Sequence, residues 1–329
     1  MKIKVIPLLL SAVMSVSVMA GCGSSSGSDE QVVIYSNADD EAVEAMKSAL
    51  DSNGYEGKYI FSTFGTSELG GKLLAEGKDI EADIVTMSTF YVDSAQETNN
   101  MFADLTFDVN TIDEFPSYCA PITAQEGAII LNTEVMKSEN LPMPKSIKDL
   151  ANEVYKDNIS VTDINSSSTA WLLIQAILNT YSEDEARDIL SGIYKNAGVH
   201  IEDSGSGPIK KVRAGEVAIG FGLRHQAVAD KAEGLPIDYV DPEEGNFSLT
   251  ESLAVVNKDS VNPLAMEMAE CIIKNGRTDL LKTYPIPLYD NETADTANSS
   301  GNPKTFKEPL TVELLEQHQE FSESCKPAN

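Results

Sequence analysis

Short apolar runs that end in polar residues alternate with amphipathic segments along the first third of this chain. Val32-Val33-Ile34-Tyr35 has the pattern of a buried strand and ends in Ser36-Asn37. Residues 39–50 then place Ala42, Val43, Met46, Ala49 and Leu50 on one helical face. Residues 57–61 predict a second strand. Gly65-Thr66-Ser67-Glu68-Leu69 opens a helix through Glu76, with hydroxyl residues at the cap and a glutamate in the first turn. Residues 82–88 predict a third strand, again with a polar end at Ser88. Strands and helices in alternation predict parallel β-α-β units and an α/β sheet.

The middle of the chain reads differently. Residues 119–132 form one long extended stretch that is expected to cross between lobes. Pro142 and Pro144 precede a short helix at 145–151, and a strand is expected at 159–163. Asn165-Ser166-Ser167-Ser168-Thr169 leads into a helix over 170–181. A strand at 198–202 precedes Asp203-Ser204-Gly205-Ser206-Gly207-Pro208 and a helix at 209–214. Residues 217–221 predict a strand that runs out at 222–225. Residues 252–256 predict a strand returning to the first lobe. From Pro263 onward the pattern is helical, with a polar, loop-like section around 291–303. Open α/β sheets bind ligands beyond the carboxyl ends of their strands. In the first third those ends carry Ser36, Asn37, Thr66, Ser67 and Ser88, all small polar side chains able to hydrogen-bond.

The N-terminus bears on location. Lys2 and Lys4 precede an apolar run from Val5 to Met19, shorter than the roughly 20 residues a spanning helix needs. Met19-Ala20-Gly21-Cys22 follows. Small residues before a cysteine make this a secretion signal. It resembles a lipobox, with Met19 in place of the usual leucine, and that resemblance implies a signal peptide at 1–21 and lipidation of Cys22. Residues 22–30, mostly Gly and Ser, read as a flexible tether. The protein is then expected outside the cell membrane, held to it through Cys22.

Charge and cysteines narrow the partners. With 24 basic and 52 acidic side chains the chain carries −28, which argues against nucleic acid as a partner. Beyond Cys22 there are Cys119, Cys271 and Cys325, with no metal-ligand spacing among them. Cys119 reads as a small apolar strand residue. A bridge between Cys271 and Cys325 stays open.

Val33-Ile34-Tyr35-Ser36, Gly65-Thr66-Ser67-Glu68-Leu69, Ser88, residues 165–171 and Ser204-Gly205-Ser206-Gly207 together resemble the type II periplasmic solute-binding proteins of ABC importers. Val212-Arg213-Ala214-Gly215-Glu216 and the apolar strand after it carry the most specific part of that likeness. The branch resembled includes ferric-ion, thiamine, sugar-phosphate and 2-aminoethylphosphonate binders. The resemblance implies a two-lobed α/β fold. Each lobe would be a mainly parallel sheet flanked by helices, the two joined by two hinge strands, with the ligand clamped between. Here that implies one lobe from residues 31–122 plus 252–329 and another from 123–251. It also implies an ABC permease as partner, a monomer, and no catalytic residue, cofactor or resident metal.

Helix starts suggest the ligand's chemistry. They expose backbone N–H groups and a partial positive charge, and bind phosphate-like anions without a cationic side chain. Ser167, Ser168 and Thr169, with Ser204, Gly205, Ser206 and Gly207, mark two such starts, and Thr66-Ser67 a third. Arg224, one of four arginines, and His225 follow a strand where the cleft is expected, and Arg224 suits a bidentate grip on an anion. If the ligand carries an amine, Glu251 and Asp203 are the candidate acids to meet it, and Asp203 could equally cap its helix. The expected guest is a small anionic solute, a phosphonate such as 2-aminoethylphosphonate or a phosphate ester.

Two alternatives remain. A ferric-ion binder is disfavoured because the Tyr-Tyr pair of ferric relatives is absent and Gly222-Leu223-Arg224-His225-Gln226 stands in its place. Tyr35 and Tyr239 keep that reading open. An extracytoplasmic phosphate-ester hydrolase has weaker support. The only G-x-S-x-G match, at residues 23–27, lies in the tether, and the three histidines are scattered.

Overall fold

A computed structural model describes residues 31–260, 262–294 and 298–327. The expected signal peptide, Cys22 and the tether lie outside the described residues.

The predicted alternation folds as a three-stranded parallel unit. β1 (Val32–Ser36), α1 (Asp40–Leu50), β2 (Tyr59–Thr63), α2 (Thr66–Glu76), β3 (Ile84–Ser88) and α3 (Thr89–Asn99) follow in order. β1 pairs in parallel with β2 on one side and β3 on the other. Val32, Ile34, Met46, Leu50 and Ile84 are fully buried together, so the helical face read from residues 39–50 is the face that packs on the sheet. Full burial of side chains of this size stabilises by about 1.5–3 kcal/mol each.

Two long strands then carry the sheet onward. β4 (Cys119–Asn132) leads to α4 (Thr133–Ser138), β5 (Ile159–Thr162), α5 (Thr169–Thr180), α6 (Glu183–Ala197), β6 (Ile201–Glu202), α7 (Gly207–Ala214), β7 (Ile219–Leu223), α8 (Arg224–Ala232) and β8 (Ile237–Val240). β9 (Asn246–Val255) returns to β3, followed by α9 (Pro263–Cys271), α10 (Arg277–Thr283), β10 (Pro303–Lys304) and α11 (Val312–Cys325). The strand order is β2-β1-β3-β9-β4-β7-β5-β6, with β10 on β9 and β8 on β4. β9 is antiparallel to β3 through residues 251–255. β4 pairs with β9 through its first half and with β7 and β8 through its second. These two strands are therefore the continuous backbone connection between the β1–β3 unit and the parallel β7-β5-β6 unit. The β4–β9 register shifts between Pro121 and Thr123, where proline cannot donate to the ladder.

Several boundaries differ from the sequence pattern, each for a physical reason. The expected helix at 145–151 is a single 3₁₀ turn, Lys148–Ala151; the Asp149 carboxylate accepts from the amides of Lys145 and Ser146 and closes the turn before it can lengthen. The strand expected at 198–202 shrinks to Ile201–Glu202, because Gly198 has φ 56° and Val199 is exposed. β7 begins at Ile219, two residues late, so that Arg224 and His225 open α8 rather than trail a strand. β9 starts six residues early, which places Glu251 inside the strand. Cys271 and Cys325 are both buried as free thiols in separate apolar clusters and form no bridge.

α11, in a stretch expected with the first lobe, packs on α5, α6 and α3. Trp171, fully buried on α5, donates its indole N–H to His318 Nδ1 on α11 at 2.7 Å. Burial lowers the His318 pKa and keeps the imidazole a neutral acceptor.

Candidate functional site

A cleft of about 360 Å³ opens beside the carboxyl ends of β1 and β2. On one side stand Asn37, Asp39 and Asp40 after β1, and Thr63 to Thr66 at the head of α2. On the other stand Ser166 to Thr169 at the head of α5 and Asp203 to Ser206 before α7. Glu251 of β9 forms part of its floor. The lining comes from both parallel units and from one of the two strands that connect them.

Four helices start at this cleft, and three of them lack a side-chain cap, as do α3, α8 and α10, which begin directly from a strand or another helical turn. Of the helices introduced by a loop, α1, α6, α9 and α11 are each capped by a side chain, from Asp39, Ser182, Asn262 and Thr311. α2, α5 and α7 begin at Gly65, Ser168 and Ser206 with no side-chain cap, and all three open on the cleft. Missing caps normally cost about 0.5–2 kcal/mol per helix. α5 compensates in part by tightening: Ala170 N and Trp171 N donate to Ser167 O and Ser168 O. Thr169 N reaches only the Ser167 hydroxyl, at 3.4 Å.

The glycine before α7 explains how the two starts meet. A Cβ on Gly205 would sit 2.1 Å from Thr169 Oγ1 and 3.3 Å from Ser167 Oγ, so only glycine lets the Asp203–Ser206 loop lie against α5. Gly207 is different. Its Cβ would strike Glu202, so it serves packing against β6 rather than the cleft. Ser206 Oγ accepts from Gln226 Nε2 at 2.9 Å, and Ser166 Oγ donates to Asp203 at 3.2 Å. Lys210, one turn into α7, is the single basic residue of the lining and makes no ion pair among the described residues.

The floor is a hydroxyl–carboxyl network. Ser88 Oγ donates to Glu251 Oε1 at 2.9 Å and lies 3.3 Å from Ser168 Oγ, joining β3, β9 and α5. Asn37 Nδ2 donates to Thr66 Oγ1 at 3.1 Å. Burial pushes the Glu251 pKa from 4.5 up to about 8, against the opposing pull of Ser88 and Asn37 and with a smaller push from Asp39. Glu251 Oε2 has no hydrogen-bond partner among the described residues.

The sequence-predicted residues thus divide. Asn37, Thr66, Ser167, Ser168, Thr169, Ser204, Gly205, Ser206 and Glu251 converge on the cleft. Ser88 supports it from beneath. Ser36 is fully buried, accepting from Thr86 and Ala38, and Ser67 faces Tyr91. Arg224 lies outside the lining. Its guanidinium is paired with Asp241 at 2.7 Å, donates to the carbonyls of Asn298 and Ser299, and covers the Tyr239 ring. Four of its five N–H donors are committed to these partners, away from the cleft lining. His225 is 3.3 Å from Asp39 and stacks near Tyr284, whose hydroxyl also donates to Asp39. Burial raises the Asp39 pKa, but the bond to and charge of His225, with Tyr284, outweigh it and hold the carboxyl below its usual range. Tyr35 donates to Glu81, and neither Tyr35 nor Tyr239 is in the lining. Lys210, Asp39 and Asp40 were not singled out by sequence reasoning. Lys210 was legible, since it falls one turn beyond a recognised helix start.

Three comparisons bear on this architecture. Residues 41–276 match the family model for bacterial extracellular solute-binding proteins. An uncharacterized protein of Haemophilus influenzae is 25% identical over 257 residues, covering 74% of this chain and 73% of that protein. Among solved structures, the fold is similar to a periplasmic thiamin-binding protein (TM-score 0.73, 16% identity, 90% and 96% of the two chains). It is similar to AfuA of Actinobacillus pleuropneumoniae with fructose-6-phosphate bound (0.71, 19%, 91% and 97%). It is also similar to iron-bound HitA of Pseudomonas aeruginosa (0.70, 18%, 90% and 99%). These neighbours are two-lobed binding proteins, and the strand plan described above is of that kind.

Proposed function

The chain belongs to the bacterial extracellular solute-binding proteins, the capture components of ABC importers, and we propose that its solute carries a phosphate or phosphonate group. One observation carries this reading. Three helix starts without side-chain caps face one small cleft, two from one parallel unit and one from the other. An oxyanion there meets the positive ends of three helices, the hydroxyls of Ser167, Ser168, Thr169 and Ser204, and the Lys210 ammonium. The neighbour with fructose-6-phosphate bound has the same fold, but the reading rests on this chain's own residues.

Capture needs no bond breaking. The solute is enclosed as the two sides approach about β4 and β9, the strands common to both. Specificity then follows from pairing every buried polar group of the guest. Residues 22–30 would tether the body to the membrane through a lipid on Cys22, presenting it to the permease.

A metal reading is the competitor, since one structural neighbour is iron-bound. In this cleft the lining contains no tyrosine among the described residues, and its side-chain carboxylates are Asp39, Asp40, Glu68, Asp203 and Glu251. A thermal-shift series with phosphonates, phosphate esters, thiamine, spermidine and Fe³⁺ decides. Phosphonates or phosphate esters are expected to raise the unfolding midpoint, by about 2.7 kcal/mol of stability at about one hundred times Kd. Stabilisation by Fe³⁺ alone would remove the oxyanion and leave a binding protein of another ligand class.

A further inference from the structure

One ion contact crosses from one parallel unit to the other beside the cleft. His225, in the first turn of α8, follows β7, whereas Asp39 follows β1 and caps α1. His225 Nε2 lies 3.3 Å from Asp39 Oδ2, and the two side chains are 5% and 9% exposed. Tyr284, just after α10, brackets the pair. Its hydroxyl donates to Asp39 Oδ1, and its ring centroid lies 4.4 Å from that of the imidazole. Burial pushes the Asp39 pKa up, yet His225 and Tyr284 bring it below the usual carboxylate range, so the carboxyl enters the contact ionised.

The place of this pair relative to the hinge gives it a task. β3 lies between β1 and the connecting strand β9, so Asp39 stands about two strand spacings, roughly 10 Å, from β9. His225 comes from the other unit, after β7, which pairs with β4. Opening about β4 and β9 therefore pulls Asp39 and His225 apart. His225 is not part of the cleft lining, so its contact with Asp39 is one the chain makes with itself and not through a solute.

We propose that His225 is a positioning residue: paired with Asp39, it latches the two units closed whether or not a solute fills the cleft. Without His225, closure would bury an ionised carboxylate met by the Tyr284 hydroxyl and the Ala42 amide alone, and an unpaired buried charge strongly disfavours the state that contains it. Shielded from water, the contact is screened little by salt. Two uncharged contacts cross the same seam. Ser67 N donates to Ser166 O at 3.5 Å, and Ser88 Oγ lies 3.3 Å from Ser168 Oγ. A captured solute leaves only after these contacts part, so the latch slows release. The inference holds for a solute of any class and does not rest on the oxyanion reading.

The test measures the separation of the two units in the full chain. Energy transfer is recorded between fluorophores on non-natural side chains at Ala75 of α2 and Ala214 of α7, both exposed. That chemistry spares the buried free cysteines. The protein is unfolded and refolded to strip solute. It is also treated with a chelator, so that no cation bridges Asp39, Glu41 and His225, whose ligand atoms lie within 4.8 Å of one another. Wild type is expected mainly at the closed separation. His225→Gln should lower the ratio of closed to open molecules at least about tenfold. In an Asp39→Asn background asparagine still caps α1 and no charge is left unpaired, so His225→Gln should change the ratio by less than about twofold. Equal closed fractions in wild type and His225→Gln would overturn the latch. So would a loss of closure of the same size in both backgrounds, which would make the histidine a structural residue alone. A solute-free wild type found open would overturn it without recourse to any variant, and that measurement stands even if His225→Gln fails to fold.

Discussion

At the scale of single residues, Arg224 and Lys210 exchange the roles that residue type alone suggests. An arginine just past a strand looks like an anion ligand, yet β7 runs to Leu223 and turns Arg224 into the first residue of α8, outside the cleft lining. There it finds Asp241, which it holds below its usual pKa against the opposing effect of burial. Breaking a buried pair by removing one partner costs about 3–5 kcal/mol, because the remaining charge stays desolvated. Asp241 keeps some exposure, so the lower end applies. Arg224→Ala is expected to lower stability by about 3 kcal/mol in chemical denaturation, with the affinity of the folded fraction for a phosphonate little changed. A large affinity loss at unchanged stability would place the guanidinium in the site after all.

Helices are the level at which the site is organised, and the level at which the sequence is most informative. Ser167 to Thr169 and Ser204 to Ser206 were identifiable as helix starts from their small polar residues ahead of an apolar pattern, and both line the cleft. The sequence does not say whether such a serine caps its own helix or leaves the helix end open. That depends on dihedral angles: Ser206 sits at φ −89° and ψ 2°, outside the extended region that lets an N-cap oxygen reach back, whereas Ser182 at ψ 158° caps. Three more helices, α3, α6 and α8, were not among the elements read from the sequence. The faces of α3 and α8 are mixed, and packing rather than periodicity decides them, whereas α6 places Ala186, Ile189, Leu190, Ile193, Tyr194 and Ala197 on one helical face and was open to reading. Contacts of long sequence separation, such as Trp171 with His318 or α11 against α6, leave no local signature. The open α7 start gives a test at this scale. Ser206→Asp puts a carboxylate beside the α7 start, worth about 0.3–1 kcal/mol through the helix dipole alone, since the backbone there keeps a side-chain oxygen from capping. It also puts a negative charge where the oxyanion is expected. Stability should hold or rise while phosphonate affinity falls at least about tenfold. If both fall together, the α7 start is a structural feature and the oxyanion lies elsewhere.

For the whole molecule, the net charge of −28 works against the proposed guest's approach. A solute whose charge is that of a phosphate or phosphonate group is negative at neutral pH, so the long-range field repels it while the cleft, through its helix ends and Lys210, attracts it over a few ångströms. Salt separates these two ranges. Raising ionic strength from about 10 mM to about 150 mM shortens the Debye length from about 30 Å to about 8 Å. The repulsive field is largely screened, whereas contacts inside a partly closed cleft are screened much less. Stopped-flow association of an anionic probe should therefore accelerate with added salt over this range, with dissociation changing less. A polyamine or a metal cation would show the opposite, because the acidic surface would steer it in and salt would slow it. The sign of the salt effect on the association rate thus reports the net charge of the guest without touching a single side chain of the site. An association rate that falls with salt for the tightest solute would mean that the acidic surface is part of the capture device, and that the uncapped helix starts do not hold an anion.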